Sequence, residues 1–271
     1  MPKGLGIWLG GGFILLLVLL AVLAPLIAPF DPLEQDLMAA TAAPGVEPGH
    51  WLGTDSLGRD VFSRMIYATR IALTVAFVAA ILACVLGTVL GMLAGYFGGW
   101  VDAVISRLID IWMAFPPVLL SILLVAVLGS GIHSVIAAIV VIDWTRFARV
   151  VRAETKQQAR LEYAEAASAL GMGRMPILVR EILPNVLPVV LVLLSLEMGI
   201  AVIVEAILSF VGLSVSTDTP TWGGMIAEGR QIIYQGWWVL VFPLVSLFLT
   251  VLAFNQLGDG LRQWLDPMLK R

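Results

Sequence analysis

Glu165-Ala166-Ala167, followed by Gly171 and then by Leu183-Pro184, stands in a polar island between two apolar runs, and its chemistry is docking rather than bond-breaking. The island, Arg146 to Pro184, holds Arg146, Arg149, Arg152, Lys156, Arg160, Arg174 and Arg180. A long basic loop between spans marks the cytoplasmic side of a membrane. Read as a helix, Glu162 to Gly171 has Ala164, Ala166, Ala167 and Ala169 as good helix formers, and Gly171 supplies a left-handed C-terminal stop. Pro176 then fits the first turn of a second short helix, and Pro184 and Pro188 mark the entry into the next span. The expected shape is a helix-turn-helix elbow on the cytoplasmic face. Its alanines leave a low-profile surface for a groove of another protein, with Glu162, Glu165, Arg160 and Arg174 placed to fix orientation by charged hydrogen bonds. The same residues also suit a plain Ala-rich helix in a loop that merely obeys the charge rule.

Other chemistries find no support. No Gly-x-x-x-x-Gly-Lys-Ser/Thr phosphate loop exists, and Gly10-Gly11-Gly12 runs into Phe13 inside an apolar stretch. No His-Glu-x-x-His motif and no nucleophile–base pair suggests an intramembrane enzyme. His50, His133 and the lone Cys84 lack metal-ligand spacing, so neither a metal site nor a disulfide within one chain is expected. Three acidic residues fall at membrane depth, where they are costly and functional by default: Asp143, Glu197 and Glu205. Glu197 and Glu205 either line a path or bond across to a neighbouring helix, or Glu205 hydrogen-bonds locally to hold the bundle; Asp143 is placed to pair with Arg146.

These groups need a membrane scaffold. The chain has 271 residues, 60% of them hydrophobic and only 13% charged, with a mean hydropathy of +0.98. Few soluble surfaces could be covered with so little charge, so the class is an all-α polytopic membrane protein. Apolar runs predict six spans: Ile7–Ala28, Ile71–Leu93, about Val104–Leu128, Ile132 to about Val151, about Leu187–Val211 and Trp237 to about Leu257. The first run is longer than a signal-peptide core and reads as an uncleaved span. Ala79, Ala80, Ala83, Gly87 and Gly91 in the second permit close helix packing. Pro116-Pro117 kinks the third. With both termini inside, the inner segments collect Lys3, Arg107, the island, Arg262, Lys270 and Arg271. The outer ones hold Arg59, Arg64, Arg70 and Arg230, softened by Asp31, Glu34, Asp36, Glu47, Asp55 and Asp60. Residues 1–68 then make a first helix and outer loop, 69–260 a core carrying the cytoplasmic loop at about 152–185, and 261–271 a tail.

The island resembles the EAA loop of bacterial ATP-binding cassette importer permeases: Glu-Ala-Ala, three residues, Gly, then Ile-x-Leu-Pro. Glu165, Ala166, Ala167, Gly171, Leu183 and Pro184 match in identity and spacing. Glu181 stands at the Ile position with Ile182 beside it, a departure similar to the peptide and nickel branch. Trp51-Leu-Gly-Thr-Asp-Ser-Leu-Gly-Arg-Asp60, Ala94-Gly-Tyr-Phe-Gly-Gly-Trp-Val-Asp102, Ala114-Phe-Pro-Pro117, Leu208-Ser-Phe-Val-Gly-Leu213, Leu257-Gly-Asp-Gly-Leu-Arg262 and Leu265-Asp-Pro267 extend the likeness over nearly the whole chain. They look like the second permease subunit of a dipeptide/oligopeptide importer, the DppC/OppC type.

The resemblance implies the six-helix type I importer permease fold (MetI-like) in a bacterial or archaeal inner membrane. It implies a second permease subunit (DppB/OppB-like), two cytoplasmic ATPases, an extracytoplasmic binding protein and a lipid bilayer as partners, with no part for nucleic acid. The chain itself would be non-catalytic and carry no cofactor, ATP and Mg being bound by the ATPases. The EAA helix would be the coupling helix. Gly53, Thr54, Asp55, Gly58, Arg59 and Asp60 would form an Asp-held turn that either meets the binding protein or partner permease or simply orders the lead-in to the second span. A nickel or other small-solute importer of the same family is the alternative substrate reading. A secondary transporter, which would show repeat symmetry and a coupling-ion site, and a membrane scaffold are the alternatives from other classes.

Overall fold

A computed structural model describes residues 5–215 and 218–265. Lys3, Asp266-Pro267, Lys270 and Arg271, used above for orientation and resemblance, lie outside the described residues.

The described chain is helical, with one isolated bridge between Thr54 and Asp60. In order it runs α1 (Leu5–Val22), α2 (Ala24–Ile27), a 3-10 turn (Leu37–Ala39), α3 (Val61–Phe97), α4 (Gly99–Met113), α5 (Pro117–Leu128), α6 (Ile132–Gln158), α7 (Glu162–Ala169) and α8 (Arg174–Pro176). A π-turn (Ile177–Ile182), α9 (Leu183–Phe210), α10 (Trp222–Gln231) and α11 (Trp237–Leu265) complete it. Three continuous helical stretches are long and apolar enough to cross a bilayer: α3, Arg174–Phe210 and α11. A fourth span is available if α4 and α5 count as one broken pair. α1 is apolar but ends at Val22, because Pro25 starts a separate short turn. α6 carries the charges of the island and projects to Gln158. The sequence expectation of six spans therefore corresponds to three clear crossings, one bent pair, one short apolar helix and one polar-ended helix.

The Pro116-Pro117 kink is larger than a helix bend: α4 and α5 meet at 88°. Pro116 takes an extended ψ of 120° and Pro117 opens the next helix, since the residue before a proline is driven out of the helical region. Pro184 and Pro188, expected at a span entry, instead lie within the rod Arg174–Phe210. The preceding π-turn widens the helix where Pro184 can donate no hydrogen bond. The boundary drawn after residue 68 falls inside α3.

Glycines set how closely the helices meet. A Cβ on Gly87 would lie 2.4 Å from the Trp144 carbonyl, one on Gly91 2.7 Å from that of Ala148, and one on Gly95 2.7 Å from that of Arg152. The four-residue step on both helices locks α3 against α6 with backbones in contact, as small-residue seams do in lipid. Gly10 does the same for α1, its would-be Cβ 2.4 Å from the Ala253 carbonyl of α11. Elsewhere Trp8, Leu26 and Val127 stand exposed, an apolar outside suited to hydrocarbon.

Candidate functional site

The elbow forms. Gly171, at φ +82°, ends α7 in the left-handed conformation, and the Met172 amide reaches back to the Ala167 carbonyl. This six-to-one bond satisfies a helix-end carbonyl. The alanines divide into two sets. Ala164 and Ala167 are buried against Ile177, Leu178 and Ile182, so they fix the elbow rather than forming a low-profile outer surface. Glu162, Glu165, Ala166 and Ser168 face outward. Tyr163 donates from its hydroxyl to Gln158 Oε1 at 2.8 Å, tying α7 to the end of α6. Beyond the helix, Leu170 is 88% exposed, with Met172, Met175 and Val179 also uncovered. Arg174 and Pro184 are exposed and Leu183 is half-buried. The result is an outward helix face with two carboxylates, tipped by uncovered apolar side chains.

The helix that leads into the elbow, α6, is braced against α4 by ion pairs. Asp102, near the start of α4, accepts from Arg152 Nη2 at 3.0 Å and Nε, and from Lys156 Nζ at 2.6 Å. Arg149 reaches Asp110 at 3.4 Å. The island's basic residues thus hold α4 as well as answering the charge rule. Asp102 sits in a stretch quoted for family likeness, yet its pairing with residues about fifty positions away leaves no local signal.

At the other end of α3 the outer motif folds into a buried clamp. Asp55 Oδ1 accepts the Leu57 and Arg59 amides at 2.8 and 3.0 Å. Its Oδ2 accepts Arg59 Nε at 2.7 Å and Arg64 Nη1. Glu228, on α10, receives Arg59 Nη2 at 2.9 Å and Arg64 Nη1 and Nη2 at 2.7 and 3.2 Å. Asp60 caps α3 through the Ser63 amide and holds His50 Nδ1 at 2.9 Å. Thr54 Oγ1 donates to the Ala39 carbonyl and accepts the Ala42 amide, while its own carbonyl takes Trp238 Nε1. Gly53 and Gly58 have φ of +78° and +74°, and a Cβ on Gly58 would fall 1.7 Å from the Asp36 carbonyl. The motif stands out in the sequence, but its partner Glu228 does not. A helix-compatible run after Thr221, whose hydroxyl caps α10 at the Gly224 amide, was the available signal.

Burial alone would raise the Glu228 carboxyl, but hydrogen bonds from Arg64 and the charges of Arg64 and Arg59 hold it below its ordinary value. A lowered carboxyl stabilises the fold above its unfolded pKa, near 4.5, and that contribution is lost as pH falls through the folded value. Thermal unfolding in detergent should therefore show stability dropping as pH falls below about 4.5, with Glu228→Gln flattening the decline.

Within the membrane, Arg146 Nη1 reaches Glu197 Oε2 at 3.0 Å and lies 3.9 Å from Asp143 Oδ1. Glu205, fully buried, accepts from Ser209 and Ser214 hydroxyls at 2.7 and 3.1 Å, pinning the outer end of α9. A cleft of about 460 Å³ opens between α6, α9 and α11, lined by Val150, Pro188, Leu193, Leu196 and Arg262 among others.

The described helices thus form an apolar bundle with a polar elbow and a cleft between α6, α9 and α11. The chain belongs to the family described as "Binding-protein-dependent transport system inner membrane component", whose match covers residues 87–271. Residues 6–44 match the N-terminal TM domain of oligopeptide transport permease C. The glutathione transport system permease protein GsiD of Pectobacterium atrosepticum is 42% identical over 96% of this chain and 86% of its own length. GsiD of Escherichia coli O6:K15:H31 is 43% identical over 95% and 85%. An amino acid ABC transporter chain shares the fold with a TM-score of 0.59 at 17% identity, covering 75% of this chain and 95% of its own. A chain of the MetNI methionine ABC transporter does so at 0.57 and 18%, covering 73% and 96%. The chain is thus a non-catalytic permease subunit of an ABC importer, a multi-pass inner-membrane component of MetI-like fold.

Proposed function

We propose that this permease forms half of the translocation path of an importer of small peptides, with both termini cytoplasmic. In this reading two separate ATPases, which bind ATP and Mg, push on it through α7. A second permease of the DppB/OppB kind completes the path, and a binding protein delivers substrate at the outer face. The observation that carries the reading is the elbow: a short helix anchored by Ala164 and Ala167, stopped by Gly171, and presenting Glu162, Glu165 and Ala166 outward. ATP-driven closure of the ATPases would move this helix as a rigid piece and shift the bundle between two states. The peptide class is supported by the oligopeptide permease C match at the N-terminus and by relatives named for glutathione, itself a peptide. Ni²⁺ or another small solute is the second substrate reading.

The test is reconstitution of the complex in proteoliposomes with labelled di- and tripeptides and Ni²⁺ as cargo. ATP-dependent peptide uptake that requires the binding protein is the expected outcome. Uptake of Ni²⁺ with no peptide uptake would overturn the substrate class.

A further inference from the structure

A guanidinium carries N–H donors on every edge of a planar fork, and the outer clamp leaves one edge of Arg64 open. Nη1 bonds Asp55 and Glu228 Oε2, and Nη2 bonds Glu228 Oε1. Among the described residues Nε is buried with no hydrogen-bond partner, and Nη2 makes only its one bond. The Nε hydrogen and the second Nη2 hydrogen lie on the same edge of the fork. Arg64 is 3% exposed, and a buried charged donor left unmade is expensive.

That edge has a space beside it. Arg64 and Glu228 both line a pocket of about 250 Å³ between the end of α9 and α10. Gly224 lies one turn before Glu228 on α10 and shares its face, and Ala227 and Phe210 add apolar wall. Among the described residues Glu228 Oε1 accepts only from Nη2, so a lone pair on it is open. Two free donors and a free acceptor therefore stand side by side around Nη2.

Charge decides what can fill the pocket. Arg59 and Arg64 are answered by Asp55 and Glu228. A further carboxylate would enter beside two others with no cation left to meet it, and an ammonium would meet two guanidinium groups. A neutral group presenting an acceptor next to a donor is complementary. One extended residue of a peptide does this, because its own N–H and C=O point to the same side, as they do in a strand pair. The volume falls below the roughly 300–1,000 Å³ of pockets for drug-sized ligands, which suits one such residue rather than a long chain.

We propose that this pocket binds the backbone of one extended residue of a small peptide at the outer face, its C=O accepting from Arg64 Nε and Nη2 and its N–H donating to Glu228. The inference rests on the peptide reading above and gives that substrate a site.

The experiment is equilibrium binding of radiolabelled trialanine to the nucleotide-free complex in lipid nanodiscs, for wild type, Ala227→Phe and the milder Ala227→Leu. Beside it runs an analogue with an ester oxygen in place of the middle N–H. ATP-driven trialanine uptake is measured on the same wild-type complex with its binding protein. Wild type is expected to hold trialanine about tenfold more tightly than the ester, the effect of losing a hydrogen bond to a charged acceptor. Both variants fill the pocket, so they should bind trialanine about tenfold more weakly and no longer distinguish the ester. Trialanine should also slow hydrogen exchange of the α10 amides in wild type, a readout that stands even where a variant fails to assemble. Equal binding of peptide and ester by wild type, wild-type affinity in either assembled variant, or unchanged exchange in α10 overturns the proposal, the open edge then being met by water. If wild type takes up trialanine while these contrasts are absent, only this inference falls. If it takes up no peptide at all, the peptide reading falls with it.

Discussion

A Gly171→Val chain is expected to insert and fold as wild type does and yet to lose uptake by about tenfold or more, with the ATPases no longer co-purifying. Gly171 holds φ +82°, and a Cβ there would meet nothing within 4 Å. No clash disturbs the membrane core, so the whole effect lies in the backbone. A β-branched residue in the left-handed region is a steric outlier, costing about 1–2 kcal/mol. The chain would escape by abandoning the stop that carries the Met172-to-Ala167 bond. α7 would then leave at a different angle, and the outward set Glu162, Glu165 and Ala166 would no longer be presented together. Each loss of about 1.4 kcal/mol in docking energy is a tenfold loss of affinity. Normal uptake by this variant would show that the elbow's shape does not transmit the drive.

The second large effect is on stability, at the outer clamp. Asp55→Ala should destabilise the protein by about 3–5 kcal/mol, the usual result of breaking a buried ion pair by removing one partner. Asp55 is fully buried and binds two backbone amides besides Arg59 and Arg64. Without it Glu228 alone faces two buried guanidinium groups, and the turn that leads into α3 loses its internal acceptor. Glu34→Ala, at an exposed carboxylate of the same loop, serves as the control and should change stability by less than about 0.5 kcal/mol. Unfolding followed by intrinsic tryptophan fluorescence reads both, since Trp222 and Trp238 are buried beside the clamp. Equal midpoints for the two variants would remove the clamp from the account of stability.

Where a feature depended on neighbours in sequence, it could be read in advance. The αL stop at Gly171 and the break at Pro116-Pro117 follow from backbone sterics that act over one or two residues. The small residues Gly87 and Gly91 gave the close α3 packing by the same local logic, although the partner, α6, did not show. Angles and partners set by tertiary packing were not legible. Nothing in Pro116-Pro117 specifies 88°. Ala164 and Ala167 carry no mark separating them from Ala166, because which face of a short Ala-rich helix turns inward is decided by Ile177, Leu178 and Ile182. Glu228 joins Arg64 across 164 positions, and only folding brings α10 onto the start of α3. Of the basic cluster Arg59, Arg64 and Arg70, the first two are buried and ion-paired while Arg70 is exposed, a division that the sequence did not mark.

The central claim is that this chain supplies a path and a lever while a separate motor supplies the work. The most direct measurement is the reconstitution already described, run with the isolated chain beside the full complex and with Ala166→Cys, whose position is exposed, to trap its neighbour by crosslinking. Peptide should enter the lumen only for the full complex supplied with ATP and binding protein, and the introduced thiol should crosslink to an ATPase subunit. Peptide flux through the isolated chain, or a crosslink from that position to the binding protein instead, would contradict the account.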